Sequence, residues 1–428
     1  MRGELRTLLR LALPISLAEV GITTLGLVEV AMLGRTTASA LGGASIGRSL
    51  AFVAAALGWG IAAAVEPLAS QAVGARDEST GWHAFVATLR AAVIVGIASG
   101  VLEVAAALAL PWFGIADAIV QPARMFVFAQ APSLMFVTFY LAGKGFLQAH
   151  GQTRHALLAA IFANVVNLAL SWLLVWKLDL GAFGAGLTNT VANIVLAASV
   201  MVPAWKLRPA NPGEARLVRK VLTMGLPIGL QFLAEVGAFS LVAVLAGRLG
   251  EVAIGAHQIA IGLASTTFMA VLGVSGATSV RVGLAVGEGR SARLPGFLGI
   301  GTGATLMAAS GLLFWAFPSI FVAAFTTHGP TIALATRLLG IAALFQIFDG
   351  IQGVAAGALR GAGDVRFPFL ANLGGHWVVG FPLALFLGFH LHLGAVGLWW
   401  GLLTGLGMVA ALLTWRFDRI SRGLITRA

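Results

Sequence analysis

The chain has no cysteine, and its 428 residues include a single tyrosine. Without cysteine it can hold no disulfide, no thiolate metal centre and no cysteine nucleophile. Charge is scarce as well: Asp, Glu, Lys and Arg together make up 10% of the residues, against about 25% in a soluble globular chain. Acids are the rarer sign, 16 against 27 bases, for a net charge of +11. This balance excludes a soluble enzyme with a charged surface. It also argues against a nucleic-acid partner, because 23 of the 27 bases are arginine and most stand at the ends of apolar runs. Two further features are missing: a polar stretch long enough for an inserted soluble domain, and the ten-residue alternating segments of a membrane barrel.

What remains is apolar. Hydrophobic residues make up 59% of the chain and the mean hydropathy is +0.94. They come in runs of about 20, the length that crosses a hydrocarbon core about 30 Å thick. Loops marked by charge, Gly and Pro divide the chain into twelve such runs, near 11–33, 48–73, 84–110, 123–147, 155–176, 183–205, 221–246, 253–286, 294–318, 332–359, 367–389 and 394–415. The expected fold is an all-α polytopic membrane protein, because lipid admits only helices or closed barrels. A basic start continues into an apolar run through Met32 without a small-residue cleavage site, which reads as a retained first span. With each Lys and Arg assigned to the nearer side, 21 fall on the side of the two termini and 6 on the other. The positive-inside rule then makes both termini cytoplasmic.

The two halves of the chain resemble each other. ALPISLAEVGITTLGLVEVAMLGR near the start parallels GLPIGLQFLAEVGAFSLVAVLAGR at an offset of 213, so Pro14 meets Pro227 and Gly34-Arg35 meets Gly247-Arg248. LQAHGQTR (147–154) parallels LRGAGDVR (359–366) at an offset of 212. The expected organisation is a six-helix lobe over 1–205, a basic, proline-containing cytoplasmic linker over 206–220, and a second six-helix lobe over 221–428. Six spans per repeat is an even number, so the repeats are parallel and related by a pseudo-two-fold axis along the membrane normal, as in one group of transporters. Such a pair of lobes is expected to leave a cleft at the midplane.

Six of the acids fall inside spans: Glu19, Glu29, Glu66, Glu103, Glu235 and Asp349. A charge at a helix centre costs about 2.5–3.5 kcal/mol on insertion scales, so such residues point to function. A carboxyl in low dielectric can carry a proton near neutral pH or pair with a cation arriving from water. Glu235 and Asp349 lie deepest. Asp349 shares a polar stripe with Gln346 and Gln352, and Gln231 stands four residues before Glu235, on the same helix face. These two acids and Glu29 are the expected ion-coupling groups. Gln231, Gln346, Gln352, Asn167, Ser171 and Asn189 are the expected pocket-lining groups, with interhelix hydrogen bonding as their alternative role. Glu103 is expected to reach the headgroups at the outer surface. His257, expected to open the eighth span near the same surface, has no second ligand at metal spacing.

These residues resemble the multidrug and toxic compound extrusion (MATE) transporters, most closely the NorM-like branch. The resemblance rests on LPIGLQFLAEVGAF (226–239), GRLGEVAIGAHQIA (247–260), FMAVLGVSGATSVRVGLAVGEG (268–289), FQIFDGIQGVAAGALRGAGD (345–364) and GLWWG (397–401). It implies a monomer in a bacterial inner membrane that exports cationic, amphipathic compounds by alternating access in exchange for H⁺ or Na⁺, with no other cofactor. Glu235 and Asp349 match the acids of the second-lobe cation site and would be the metal ligands if the ion is Na⁺. Glu29 stands where the family usually has Asp, and Asn167 and Ser171 match first-lobe positions where the second is usually Asn or Asp. Phe345 replaces the Tyr of some sodium-coupled members, so the coupling ion stays open between H⁺ and Na⁺.

Two other functions compete. A flippase for lipids or lipid-linked sugars would favour a cationic cleft, whereas the acids here make the interior acidic. An intramembrane aspartyl protease is suggested by Gly361-Ala362-Gly363-Asp364 together with Asp349. Those acids are 15 residues apart, which is about 22 Å along one helix, too far for a catalytic dyad.

Overall fold

A computed structural model describes residues 1–210 and 217–428, so part of the linker expected over 206–220 lies outside the described residues. Every regular element among them is helical. Eleven helices are long and apolar enough to cross a membrane, and one pair bent by 46° makes a twelfth. They are α1 (Arg2–Leu33), α2 (Ala38–Gly74), α3 (Glu78–Phe113), α4 (Asp117–Gln130 with Ser133–Ala149), α5 (Arg154–Lys177), α6 (Gly181–Trp205), α7 (Val218–Arg248), α8 (Glu251–Gly287), α9 (Arg293–Ala316), α10 (Gly329–Gly361), α11 (Arg366–His390) and α12 (Gly394–Ser421).

Each apolar run expected to span is found as a helix, and most helices extend past the run that marks them. Such polar extensions are stable because helix ends can be capped outside lipid. Thr37 accepts from the Ala40 amide at 3.1 Å to start α2, and Asp77 accepts from the Thr80 amide at 3.1 Å to start α3. The bend in α4 falls at Ala131-Pro132, where proline cannot donate to the preceding turn. α5 and α11 both widen into π-helix, over Trp172–Lys177 in one and over Leu373–Gly380 and Phe386–His390 in the other.

The helices form two compact units, Leu17–Leu230 and Met1–Ser16 with Gln231–Ala428. Each unit therefore takes the opening turns of the other repeat's first helix. Both crossovers fall within a turn of an in-helix proline, Pro14 in α1 and Pro227 in α7. In the larger-numbered unit, α10 packs against α8, α9 and α12, and Leu8, Ala12 and Ile15 of α1 join the same core as Val271, Val274 and Leu359. Ser16 Oγ donates to the Ala270 carbonyl at 2.8 Å, and a Cβ added at Gly273 would lie 2.1 Å from that hydroxyl. In the other unit, α7 approaches α2 as closely: a Cβ at Gly60 would lie 2.1 Å from the Gly229 amide nitrogen. Gly60 and Gly273 are equivalent positions of the two repeats, as are Ser16 and Gly229. Only glycine permits such backbone approach, the usual device for packing helices where lipid gives no hydrophobic drive.

Candidate functional site

Each unit holds a cluster of buried polar side chains within its helices. In the second repeat it is built by α7 and α10. Spacings of three along α10 put Gln346, Asp349 and Gln352 on one side of the helix, and all three are buried. Gln352 Nε2 donates to Glu235 Oε1 at 2.9 Å, and Asp349 stands one turn before Gln352 on the same helix. Neither acid forms an ion pair among the described residues. Arg360, further along α10, donates to Ser275 Oγ at 3.1 Å. Gln231, one turn before Glu235, is buried and its Oε1 has no hydrogen-bond partner among the described residues. The turn is held in place by Trp377, whose Nε1 donates to the Ala234 carbonyl at 2.8 Å.

Gln346 belongs to a different contact. Its amide donates to Thr267 Oγ1 on α8 and, at 3.2 Å, to Ser310 Oγ on α9, so it ties α10 to its two neighbours. Phe345 lies in a run of rings, 6.0 Å from Phe239 and 5.8 Å from Trp399, that ends in His376 beside Phe239 and His257 beside Trp399. His257 is the seventh residue of the helix that starts at Glu251, and it is buried.

The first repeat gathers a different set. Glu29 is 3% exposed and faces a guanidinium: Arg48 lies 3.3 Å from Glu29 Oε1 and also donates to the Gly26 carbonyl at 3.2 Å. Asn189 Nδ2 donates to Glu29 Oε2 at 2.7 Å and to Gln130 Oε1 at 3.3 Å. On α5, Asn167 and Ser171 are buried with their side-chain polar atoms unpartnered among the described residues. Oxygens of this kind suit a hard cation or water. One turn earlier, Asn164 donates to the Gly21 carbonyl at 2.8 Å, the repeat equivalent of the Trp377 bond to Ala234.

The remaining acids divide. Glu19 is paired with Lys144 Nζ at 2.5 Å. Glu103, expected at the headgroups, is fully buried, with both carboxylate oxygens lacking a hydrogen-bond partner among the described residues. The reason is packing: Gly96, Ser99 and Gly100 bring this face of α3 against Met135, the Ala54 carbonyl and Ala131. Asp364 is engaged by Arg416 at 2.7 Å, which leaves it unavailable to Asp349 as a proteolytic partner. No group of three His, Asp or Glu suited to a metal ion occurs among the described residues.

Sequence reasoning missed Arg48, Gln130, Lys144, Thr267 and Trp377. For the two cations a signal existed, since a base within an apolar run costs as much as an acid and needs a partner. The amide, the hydroxyl and the indole gave none.

The fold and these clusters define a class, the polytopic helical membrane proteins built of two parallel repeats. Comparison with known proteins narrows it. The family model MatE matches residues 14–173 and 227–386, two copies with the same spacing as the repeat, and the chain belongs to that family. It is 35% identical to the probable multidrug resistance protein NorM of Rhodopseudomonas palustris, covering 100% of this chain and 94% of that one. It is 33% identical to the protein of the same name from Burkholderia pseudomallei, covering 98% and 93%. Its fold is similar to the crystal structure of the eukaryotic MATE transporter AtDTX14, with a TM-score of 0.88 at 20% identity over 98% of this chain and 97% of that one.

Proposed function

We propose that the protein is a secondary multidrug exporter that exchanges cationic, amphipathic compounds for H⁺ or Na⁺, with Glu235 and Asp349 as the exchanging acids. The observation that carries this reading is that two membrane-embedded acids stand on either side of one amide in the chemistry of the site: Gln352 donates to Glu235 and lies one turn from Asp349 on α10, and neither acid forms an ion pair among the described residues. Two neighbouring carboxylates attract a cation strongly when both are ionised and weakly once one is neutralised. A drug cation taken up from inside is then released when a proton or Na⁺ from outside occupies the same acids. The ion can drive the change of state only through different affinities for the two states. The names of the relatives, probable multidrug resistance proteins, support drugs as substrates.

Glu29 is assigned a lesser part. Its carboxylate already faces the Arg48 guanidinium, so a second cation must displace a tethered one. Asn167 and Ser171 offer neutral ligands to an ion in the same repeat, and Asn189 and Gln130 orient Glu29. The flippase reading is set aside because the charged groups of the α7 and α10 cluster, Glu235 and Asp349, are acidic. The protein is placed in a bacterial inner membrane as a monomer with both termini cytoplasmic, and acts by transport rather than catalysis.

Ethidium efflux from proteoliposomes tests this, first under an imposed pH gradient and then under an imposed Na⁺ gradient. Efflux driven by one gradient establishes antiport and names the ion. Folded protein that responds to neither overturns the reading.

A further inference from the structure

The opening turns of α1 carry three arginines four residues apart, Arg2, Arg6 and Arg10, all exposed. That spacing puts them on one helix face. Arg6, Thr7 and Arg10 form one wall of an open cavity of about 750 Å³. Four acids at or beside helix ends of the same unit are each already engaged. Glu4 accepts from Arg281 Nε and Nη2 at 2.7 Å, Glu288 pairs with Arg290, Asp364 with Arg416, and Asp418 with Arg293 and Arg422. Arg2, Arg6 and Arg10 make no ion pair or side-chain hydrogen bond among the described residues. Their face therefore keeps its positive charge, although an acid sits beside it in sequence.

The same face turns apolar further along the helix. Leu9 and Leu13 are 46% and 62% exposed, and lie along α1 from Arg6 by about 5 and 10 Å at 1.5 Å per residue. Two forked cations, a hydroxyl and then bare leucines form the sequence of chemistry met by a phospholipid, phosphate first and acyl chain after. A guanidinium binds phosphate through paired N–H donors, a geometry that lysine lacks.

We infer that the cavity at Arg6, Thr7 and Arg10 binds the headgroup of an anionic phospholipid, whose chain lies along Leu9 and Leu13. This assignment stands apart from the transport reading, because binding needs no gradient and no drug. The cationic face also explains why α1 begins its helix well before its apolar run: the extra turns carry the site.

The test uses the full chain, purified in a neutral detergent, with native mass spectrometry as the readout. The probes are phosphatidylglycerol, phosphatidylcholine and inorganic phosphate. Phosphatidylglycerol is expected to bind in preference to phosphatidylcholine, and Arg6→Gln/Arg10→Gln to weaken it by about tenfold or more. Arg419→Gln, which removes an exposed charge near the C-terminus, is expected to leave binding unchanged. Arg6→Lys/Arg10→Lys keeps the charge and serves if the double Gln variant does not fold; a severalfold loss is expected from the missing fork. Equal binding of the two lipids, equal loss in Arg419→Gln, or unchanged affinity in the Arg6/Arg10 variants overturns the assignment. Full competition by millimolar inorganic phosphate also overturns it, since the site would then take free phosphate without the lipid.

Discussion

The two repeats agree in their packing and disagree in their charges. Gly60 with Gly229 and Gly273 with Ser16 are equivalent close contacts, and Gly21 and Ala234 are equivalent carbonyls that each accept a side chain from α5 or α11. The acids are not equivalent. Val242 occupies the position of Glu29 in the second repeat, and Ile22 that of Glu235 in the first. The first repeat closes Glu29 with Arg48, whereas in the second Glu235 is met by an amide, Gln352, and neither it nor Asp349 has a cation paired with it among the described residues. A duplicated scaffold can thus be preserved by shape while its electrostatics diverge. Backbone approach tolerates no added atom, but a buried polar cluster can be exchanged as a set.

If the asymmetry is functional, its largest break comes in the second repeat. Asp349→Asn and Glu235→Gln should each lower gradient-driven ethidium efflux by tenfold or more, with the protein still inserted and eluting as a single species. Transport at the normal rate by both variants would return the coupling role to the first repeat.

Arg48→Gln comes next. It strips a buried carboxylate of its counter-charge, which costs about 3 kcal/mol where such pairs have been broken. A lower thermal unfolding midpoint is expected, with recovery in Arg48→Gln/Glu29→Gln, where neither charge remains. If the single and double variants melt alike, the pair is not the stabilising contact that its geometry implies.

Packing should respond equally in the two halves. Gly60→Ala and Gly273→Ala each force atoms into a space already occupied, at a cost of about 1–3 kcal/mol. Comparable drops in midpoint would confirm the matched contacts, whereas a drop in one variant alone would confine the tight approach to that repeat. The smallest effect is expected from Gln346→Leu. It removes hydrogen bonds worth about 0.6 kcal/mol on average between membrane helices, and efflux should survive. Loss of efflux with normal stability would bring Gln346 into the ion site.

Much of this protein was legible in the chain itself. Apolar length set twelve helices, because unpaired backbone groups are intolerable in lipid wherever they occur. The parallel repeat followed from offsets near 213, and Glu235 and Asp349 stood out because a carboxyl far from any loop is costly regardless of its neighbours. These are properties that each residue or segment carries alone.

Partnership was not legible. Glu103 sits within reach of the outer surface by position, yet small residues bury it against α2 and α4. Gln346, Asp349 and Gln352 look alike in one stripe, but Gln352 turns to Glu235 and Gln346 to Thr267 and Ser310. Nor does any local signal show that Met1–Ser16 joins the unit of the second repeat, or that Arg48 lies against an acid nineteen residues earlier. Helix formation and membrane insertion depend on sums over neighbouring residues, which the sequence lists in order. Which side chain answers which charge depends on distances between helices, and these exist only once the whole bundle has packed.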